Sequence, residues 1–528
     1  MAQNINLPSI NAPLVAALPV AQVDEKVTTF IGQMLATGTA IKETLLEVAV
    51  GTENTLFGRG SMLATMIAEF RKVNEVSTVQ AVAYADADLV GGVANTIDIQ
   101  ITGAATANGT IKCYIGNDDR VYQISVAAAD TANAIAAALA AVITTTLDPD
   151  ALVDTAAIAV DTITLTARNQ GVDGNTLGVR LAYGVTGVTA TITNNGIGAS
   201  KPVLTGIANI ISERSDVVAP YSYDLTDAAG LKAVKTMLDD RFNYNNKIMD
   251  GRLITAVTAA SATAATALDA QNSASITVFV DKPVAITSSK VGSAIFATEY
   301  QKAAQFAGIR ALRTNSGAMI TDYVLTLAPQ DQRGGPHTNS LPFHNTPTSF
   351  TPIPVGEGFT PAEVAVITAS GGSVMGNNSA RNTVICGAVY TTYKTNAQGV
   401  ADTSYEYLTY VDTSTASREY IVNALRIDYG QKRLTQGAPV VGYAFASSQE
   451  VKTNMLKYYL ILAGSGYCLL QSGVMDNGVD IAAVFNRYLT VTLDTSIGEI
   501  NIEGILPIMS QVRSIYCPLS IVFSPENI

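Results

Sequence analysis

Val27-Thr28-Thr29-Phe30-Ile31-Gly32-Gln33-Met34-Leu35 reads as a β-strand, and the nineteen positions 54–72, Asn54 to Lys72, read as a helix. In that helix Leu63, Met66, Ile67 and Phe70 fall on one stripe, while Glu69, Arg71 and Lys72 lie off it. Val79–Tyr84 reads as the next strand. Strand, helix and strand in this order predict an α/β (mixed α+β) chain with a parallel or mixed sheet covered by helices. The same alternation resumes far downstream. Val217–Tyr221 reads as a strand, followed by a helix that either Asp224 or Thr226 can cap, with Leu231, Val234, Leu238 and Phe242 as its buried stripe. Strand Ile254–Val257, an Ala-rich helix, strand Ile276–Val280 and helix Ser288–Phe306 continue it.

Between these two stretches, residues 88–205 change in texture and become rich in Ala, Thr, Gly and Asn. Ile97, Ile99 and Ile101 alternate in Thr96–Thr102, and Ile111, Cys113 and Ile115 alternate in Gly109–Ile115. A turn at Asn117–Asp119 leads to Val121–Val126, then to an Ala-rich helix Thr131–Ile143 and strands Thr162–Ala167 and Leu177–Leu181. The pattern predicts a small α+β domain of order β-β-β-α-β-β, inserted into the first.

Residues 1–23 carry no charge and hold Pro8, Pro13 and Pro19, so they read as an extended arm with apolar side chains and no local partner. Residues 331–362 form a long Pro-rich connection of the kind usually found at functional or interface positions. Strands Leu489–Asp494, Glu499–Ile505 and Ile515–Phe523 close the chain. The resulting organisation is an N-terminal arm (1–23) and a discontinuous core (24–87 and 206–512) with a subdomain division near 345. An inserted domain (88–205) and a C-terminal arm strand (513–528) complete it.

Composition narrows the function. Charged residues are 14% of the 528, against about 25% in an ordinary globular protein. A weakly charged surface does little to oppose association and suits a subunit buried among neighbours. A formal charge of −12 and the lack of any Lys/Arg cluster argue against nucleic acid and anionic lipid as partners. Cys113, Cys386, Cys468 and Cys517 are dispersed and read as reduced, mostly buried thiols. No basic n-region precedes the apolar run Leu14–Val20, so no secretory signal is read there. Gly464 and Gly466 break Tyr458–Met475, which reads as a buried strand or helix with a turn and not as a membrane span.

A search for catalytic chemistry is unrewarding. The sequence has no phosphate loop, no nucleophile elbow and no H-E-x-x-H. Its two histidines, His337 and His344, are seven apart in the Pro-rich segment. A metal pair completed by Asp331 has no geometric rationale at that spacing. Asp239-Asp240 reads as a solvated helix face and Asn117–Asp119 as a turn. The 22 tyrosines, with no Trp and no basic interleaving, read as packing and interface residues. No catalytic, cofactor or metal residue is assigned, and the chain is expected not to be an enzyme.

Four segments, in order, resemble the Mu-like contractile phage tail sheath proteins. Leu56-Phe57-Gly58-Arg59-Gly60-Ser61-Met62-Leu63 resembles the family's L-F-G-R-G-S-M-L stretch. Gly109–Gly116 with Leu165-Thr166-Ala167-Arg168-Asn169-Gln170-Gly171 resembles its inserted domain. Thr391-Thr392-Tyr393-Lys394-Thr395-Asn396 with Asp402-Thr403-Ser404-Tyr405 looks like its T-T-Y-x-T-N…D-T-S-Y stretch, and 499–523 looks like its terminal strand-turn-strand. The start departs from the family, since Asn11–Val20 lacks the aromatic residue of a P-G-x-Y arm.

The resemblance implies a structural subunit that stacks as six-fold rings around a rigid inner tube and contracts to drive the tube through a host envelope for genome ejection. It implies an α/β core near the tube, with the inserted domain facing outward. The implied partners are further copies of the chain, the tail tube protein, and baseplate and tail terminator proteins, with no nucleic acid, no membrane insertion and no cofactor. The implied location is the virion tail, after assembly in the bacterial host cytoplasm. Extended arms would link neighbours by strand addition, through Pro13, Val15, Leu18 and Val20 at one end and Ile515, Tyr516, Leu519, Ile521 and Phe523 at the other. Competing readings are the sheath of a phage-derived contractile particle (a tailocin), a secreted surface-layer or adhesive protein, and an acidic hydrolase on an α/β scaffold.

Overall fold

A computed structural model describes residues 27–117, 119–144, 146–211, 215–242, 251–284, 290–314, 343–437, 444–463, 470–471, 473–475, 478–496, 498–505 and 507. Both arms, with Pro13, Val15, Leu18, Val20, Ile515, Tyr516, Leu519, Ile521 and Phe523, lie outside the described residues, as do His337, Asp331, Cys468 and Cys517. The described chain divides into two compact units. The larger takes the described residues up to 415, and the smaller takes those from 416 onward. Among the described residues the boundary between them falls between 415 and 416.

In the larger unit the first strands and helices are β1 (Val27–Met34), β2 (Leu45–Glu47), α1 (Glu53–Phe57), α2 (Met62–Arg71) and β3 (Val79–Ala85). The inserted block holds β4 (Ala94–Gly103), β5 (Gly109–Ile115), β6 (Val121–Val126), α3 (Ala132–Val142), β7 (Val153–Ala159), β8 (Thr162–Gln170), β9 (Val179–Tyr183) and β10 (Val188–Asn194). Then come β11 (Ser215–Val218), α4 (Leu231–Phe242), β12 (Leu253–Thr258), α5 (Ser261–Asp269), β13 (Ile276–Asp281), β14 (Lys290–Val291) and α6 (Glu299–Thr314). The last elements are α7 (Pro361–Ala369), β15 (Gly372–Asn377), β16 (Thr383–Cys386) and the start of α8 (Leu408–Tyr429).

The main sheet has eight strands in the order β16-β15-β13-β12-β11-β1-β3-β2. Pairings from β15 through β3 are parallel, and the edge strands β16 and β2 are antiparallel. Seven of the eight residues of β1, Thr28 to Met34, are buried, as both-face coverage of a parallel sheet demands. Phe30 meets Phe70 of α2 edge to face at 5.5 Å, and Phe279 meets Phe306 of α6 at 4.4 Å. A Cβ on Gly32 would lie 3.2 Å from the Met62 and Leu63 side chains, so the missing side chain lets α2 approach β1 closely. From β1 the chain steps to β3 on one side, and after the inserted block it returns to β11 on the other. The strand order thus reverses between β1 and β11.

The inserted block is two four-stranded sheets, β10-β4-β8-β7 and β14-β9-β5-β6, around one core with α3. The alternating isoleucines of β4 and β5 point into it. Two strands, β7 and β10, add to the order read from sequence. The block is also not closed on itself: β14, from 290–291, pairs antiparallel with β9, and Val291 joins the block's core.

Other expectations need correction. The 54–72 helix is two helices, because Gly58 and Gly60 take positive φ (85° and 74°). The strand from 217 stops at Val218, and Tyr221–Tyr223 is a 3-10 turn. The helix beyond it starts at Leu231, not near Asp224 or Thr226. Asp224 sits at φ 68°, and its carboxylate accepts from Thr226 N at 2.8 Å in a local turn. Helix α6 begins at Glu299 rather than at 288, where Thr298 and Gln301 bond reciprocally: Thr298 N donates to Gln301 Oε1 at 2.8 Å, and Gln301 N to Thr298 Oγ1 at 3.4 Å. The end of the Pro-rich segment is helical, since Thr360 and Glu363 form a capping box with Pro361 in the first turn.

The smaller unit contains the rest of α8, β17 (Arg433–Leu434), β18 (Phe445–Ala446), α9 (Ser448–Ala463), α10 (Ile481–Tyr488), β19 (Thr490–Asp494) and β20 (Glu499–Glu503). Its core is aromatic: Tyr459 stacks on Phe485 at 4.4 Å, and Tyr420 meets Tyr458 at 6.5 Å. Residues 458–463 of the apolar stretch are the last turns of α9.

The Phe30–Phe70 contact sits where β1 and α2 meet, so Phe30→Ala should cost about 3–5 kcal/mol. Urea denaturation followed by circular dichroism should show the transition of the larger unit moving to lower urea.

Candidate functional site: the seat of the inserted block and an open hairpin

Two of the sequence segments singled out above face each other. Phe57 is fully buried under α1, and Gly58 turns the chain. Arg59 then donates two bonds to Asp150 of the inserted block, Nε to Oδ1 at 2.7 Å and Nη2 to Oδ2 at 2.8 Å. This fork holds the Asp150 carboxyl below the usual carboxylate range and raises the guanidinium's own value. Gly60 lies against the block: a Cβ there would come within 2.5 Å of both Ala151 O and Arg168 Nη1. Ser61 caps α2 by accepting from Ala64 N at 3.2 Å, and Met62 N donates to Asn169 Oδ1 at 2.8 Å. Arg59-Gly60-Ser61-Met62 is therefore the seat on which Asp150, Arg168 and Asn169 of the block rest.

A second set of contacts lies at the carboxyl ends of the central strands. Gln33, near the end of β1, donates from Nε2 to Asp86 Oδ1 at 2.8 Å and to Gln170 O at 2.7 Å. Asp86, just after β3, also accepts from Gln170 N at 2.8 Å and Asn169 Nδ2 at 3.2 Å. Burial pushes the Asp86 carboxyl up, and these donors oppose the push. Farther out, Lys72 pairs with Asp119 and with Glu69, and Arg180 of β9 lies over the Tyr114 ring at 4.6 Å and the Phe296 ring at 5.1 Å.

The 391–405 motif sits at the opposite end of the sheet, near the start of β13. Thr392 N donates to Ile276 O at 3.3 Å. Asn272 Oδ1 accepts from Lys394 N at 2.7 Å and Thr395 N at 2.9 Å, while its Nδ2 donates to Thr395 O at 3.0 Å. Asn396 Oδ1 accepts from Val400 N at 3.0 Å and closes the turn. Tyr393 OH donates to Asp402 Oδ2 at 2.7 Å, and Tyr405 packs edge-on to Tyr393 at 5.4 Å. Asp402 is held below the usual range first by Ser404, then by Tyr393. These motif residues build a locally capped loop, with no separate chemistry among them.

The hairpin β19–β20 of the smaller unit is two-stranded, with no third strand among the described residues. Val491, Ile500 and Ile502 pack against the unit's core, while Thr490, Thr492, Asp494, Glu499, Asn501 and Glu503 are exposed. Such a ribbon is marginal by itself, and edges that pair with no further strand among the described residues are pairing templates.

Candidates for catalysis do not converge. His344 Nδ1 accepts from Gly387 N at 2.9 Å. Asp239 is half-buried and accepts from Ser273 Oγ at 2.5 Å, a correction to its reading as a solvated residue, while Asp240 is exposed. Cys113 is buried and its thiol is pushed up to about 12, whereas Cys386 is partly exposed. Among the described residues no group of three His, Cys, Asp or Glu is placed to hold a metal ion. No described helix is long and apolar enough to cross a membrane.

No family model matches the chain. It is 35% identical over 178 residues to the Mu-like prophage FluMu tail sheath protein of Haemophilus influenzae, a match covering 33% of this chain and 35% of that protein. The chain thus spans about a third of the length of this curated relative. Among solved structures, it is similar to the contracted helical sheath of the anti-feeding prophage, with 12% identity, a TM-score of 0.44, and 98% and 99% of the two chains covered. A chain of the contracted anti-feeding prophage baseplate gives 9% identity, a TM-score of 0.44, and 98% and 100% covered.

Because Gly60 has both a positive φ and no room for a Cβ, Gly60→Ala should destabilise the seat by about 1–3 kcal/mol. Limited proteolysis should then cut within 88–205 faster than in the parent chain. Arg59→Ala, at a more exposed pair, should have a smaller effect that shrinks further in high salt. An effect of Arg59→Ala as large as that of Gly60→Ala would contradict this ranking.

Proposed function

We propose that the chain is the structural subunit of a contractile phage tail sheath. The observation that carries this reading is the 35% identity over 178 residues to a Mu-like prophage tail sheath protein. The sequence motifs resemble the same family, and the low charge and the open hairpin suit a protein that works by associating with itself.

In this reading the subunit polymerises as stacked rings around a tail tube and contracts by rigid-body repacking, with baseplate and terminator proteins at the two ends. It belongs to the virion tail and assembles in the host cytoplasm. The inserted block faces outward, and no catalytic residue or cofactor is involved. Segments 1–23 and 513–528 extend to neighbouring copies, and the edges of β19 and β20 receive them. A donated strand gains main-chain hydrogen bonds that need no particular side chain. About five such bonds, at about 1 kcal/mol net each, supply roughly 5 kcal/mol per link. Links of that size can persist while globular faces slide.

Deleting 1–23 or 513–528 should leave the circular dichroism of the chain nearly unchanged and abolish polymerisation in sedimentation, while the full chain pellets as long polymers. Truncated chains that polymerise as the full chain does would overturn the arm mechanism.

A further inference from the structure

In open α/β sheets, ligands bind beyond the carboxyl ends of the strands, where the strand order reverses. Here that position lies beyond β1 and β11, and the chain's own inserted block fills it. Gln33 at the end of β1 is fully buried and bonded to Gln170. Gly171 follows, with φ 102°, and then a 3-10 turn, Val172–Thr176, carries Asp173 into the joint.

Asp173 is 8% exposed. Its Oδ1 accepts from Ser222 Oγ, in the 3-10 turn after β11, and its Oδ2 has no hydrogen-bond partner among the described residues. An ionised carboxylate has about four acceptor sites, and a buried one with so few donors is costly. Asp86, a short way off in the same joint, takes three donors and shows what a satisfied carboxylate looks like there.

The groups around Asp173 offer little compensation. Glu299, in the first turn of α6, is also buried; its Oε1 accepts from Thr258 N at 2.6 Å. Lys302, one turn on, is engaged by Asp281 at 2.5 Å and Ser293 at 2.7 Å. Lys201 pairs with Asp224 at 3.3 Å and Asp227 at 3.0 Å. The phenols of Tyr84, Tyr221, Tyr223 and Tyr300 are all pushed up, chiefly by burial, so they stay neutral at ordinary pH.

We propose that Asp173 is a proton-operated latch between the inserted block and the sheet: protonated, it holds the block seated in the crevice, and ionised, it loosens the joint. Burial pushes the Asp173 carboxyl up to about 7, against the bonds from Ser222 and from its own backbone N–H, and pushes Glu299 up to about 7, with the Asp173 charge adding to the burial. A folded-state value above the unfolded one means that the folded joint holds the proton longer. Seating is therefore fullest below the ordinary carboxylate range near pH 4, and it weakens as pH rises through about 7. The ionised form carries a desolvation cost that Asp173→Asn removes.

The test is hydrogen exchange of the full chain, read by mass spectrometry at pH 5.5 and 8.5 and corrected for intrinsic rates. In peptides covering 169–176 and 219–224, opening should be at least ~10-fold more frequent at the higher pH. Asp173→Asn should cut that ratio several-fold, and the Asp173→Asn, Glu299→Gln double variant should bring it near one. A parent chain whose corrected exchange is equal at the two pH values overturns the latch, whether or not the variants fold. So does an Asp173→Asn chain that keeps the full ratio.

Discussion

Gln33 is a polar side chain buried at the end of the central strand, and its partners are Asp86 and Gln170, 53 and 137 residues away. That one requirement ties the two parts of the larger unit together. If residues 88–205 were absent, Gln33 and Asp86 would lose their partners Gln170 and Asn169 and face an emptied crevice. The block depends on the sheet in return, because β14 of its second sheet and Asp150's guanidinium partner both come from outside it. An insertion that looks separable along the chain has its own core but takes one strand and several polar partners from the rest of the larger unit.

Filling the crevice bears on what the chain can do. A doubly wound sheet has one favoured place for a ligand, and here that place holds the chain's own carboxylates, amides and phenols. Among the described residues the ribbon of the smaller unit has two strands and no third. In the proposed sheath subunit, the strand edges would carry the links between neighbours. The bidentate pair of Arg310 with Asp412 is fully buried and ties α6 to the first turns of α8 within the larger unit.

Much of the fold was legible in the sequence. Period-two isoleucines announced β4 and β5, the run Val27–Leu35 announced strand β1, and the stripe Leu63, Met66, Ile67, Phe70 announced α2. Errors came where a local signal was overlooked or did not exist. Gly58 and Gly60 interrupt a good helical stripe, and Val188, Ala190 and Ile192 alternate in β10 as cleanly as the strands that were recognised. Thr298 with Gln301 and Thr360 with Glu363 have capping-box spacing, which would have placed the starts of α6 and α7. Two-residue β14 has no pattern to read, since tertiary pairing alone makes it a strand. The meeting of Gly60 with Arg168 was likewise invisible, although both belong to segments singled out by resemblance.

The claim that links fold to function is that β19–β20 is an unfinished sheet which neighbouring copies complete. A helical reconstruction by electron cryomicroscopy of polymers of the full chain tests it most directly. The account predicts stacked six-fold rings in which strands from the terminal segments of adjacent copies pair with both edges of the Thr490–Asp494 and Glu499–Glu503 hairpin. A polymer whose hairpin stays two-stranded, with neighbours joined only through globular faces, would contradict it.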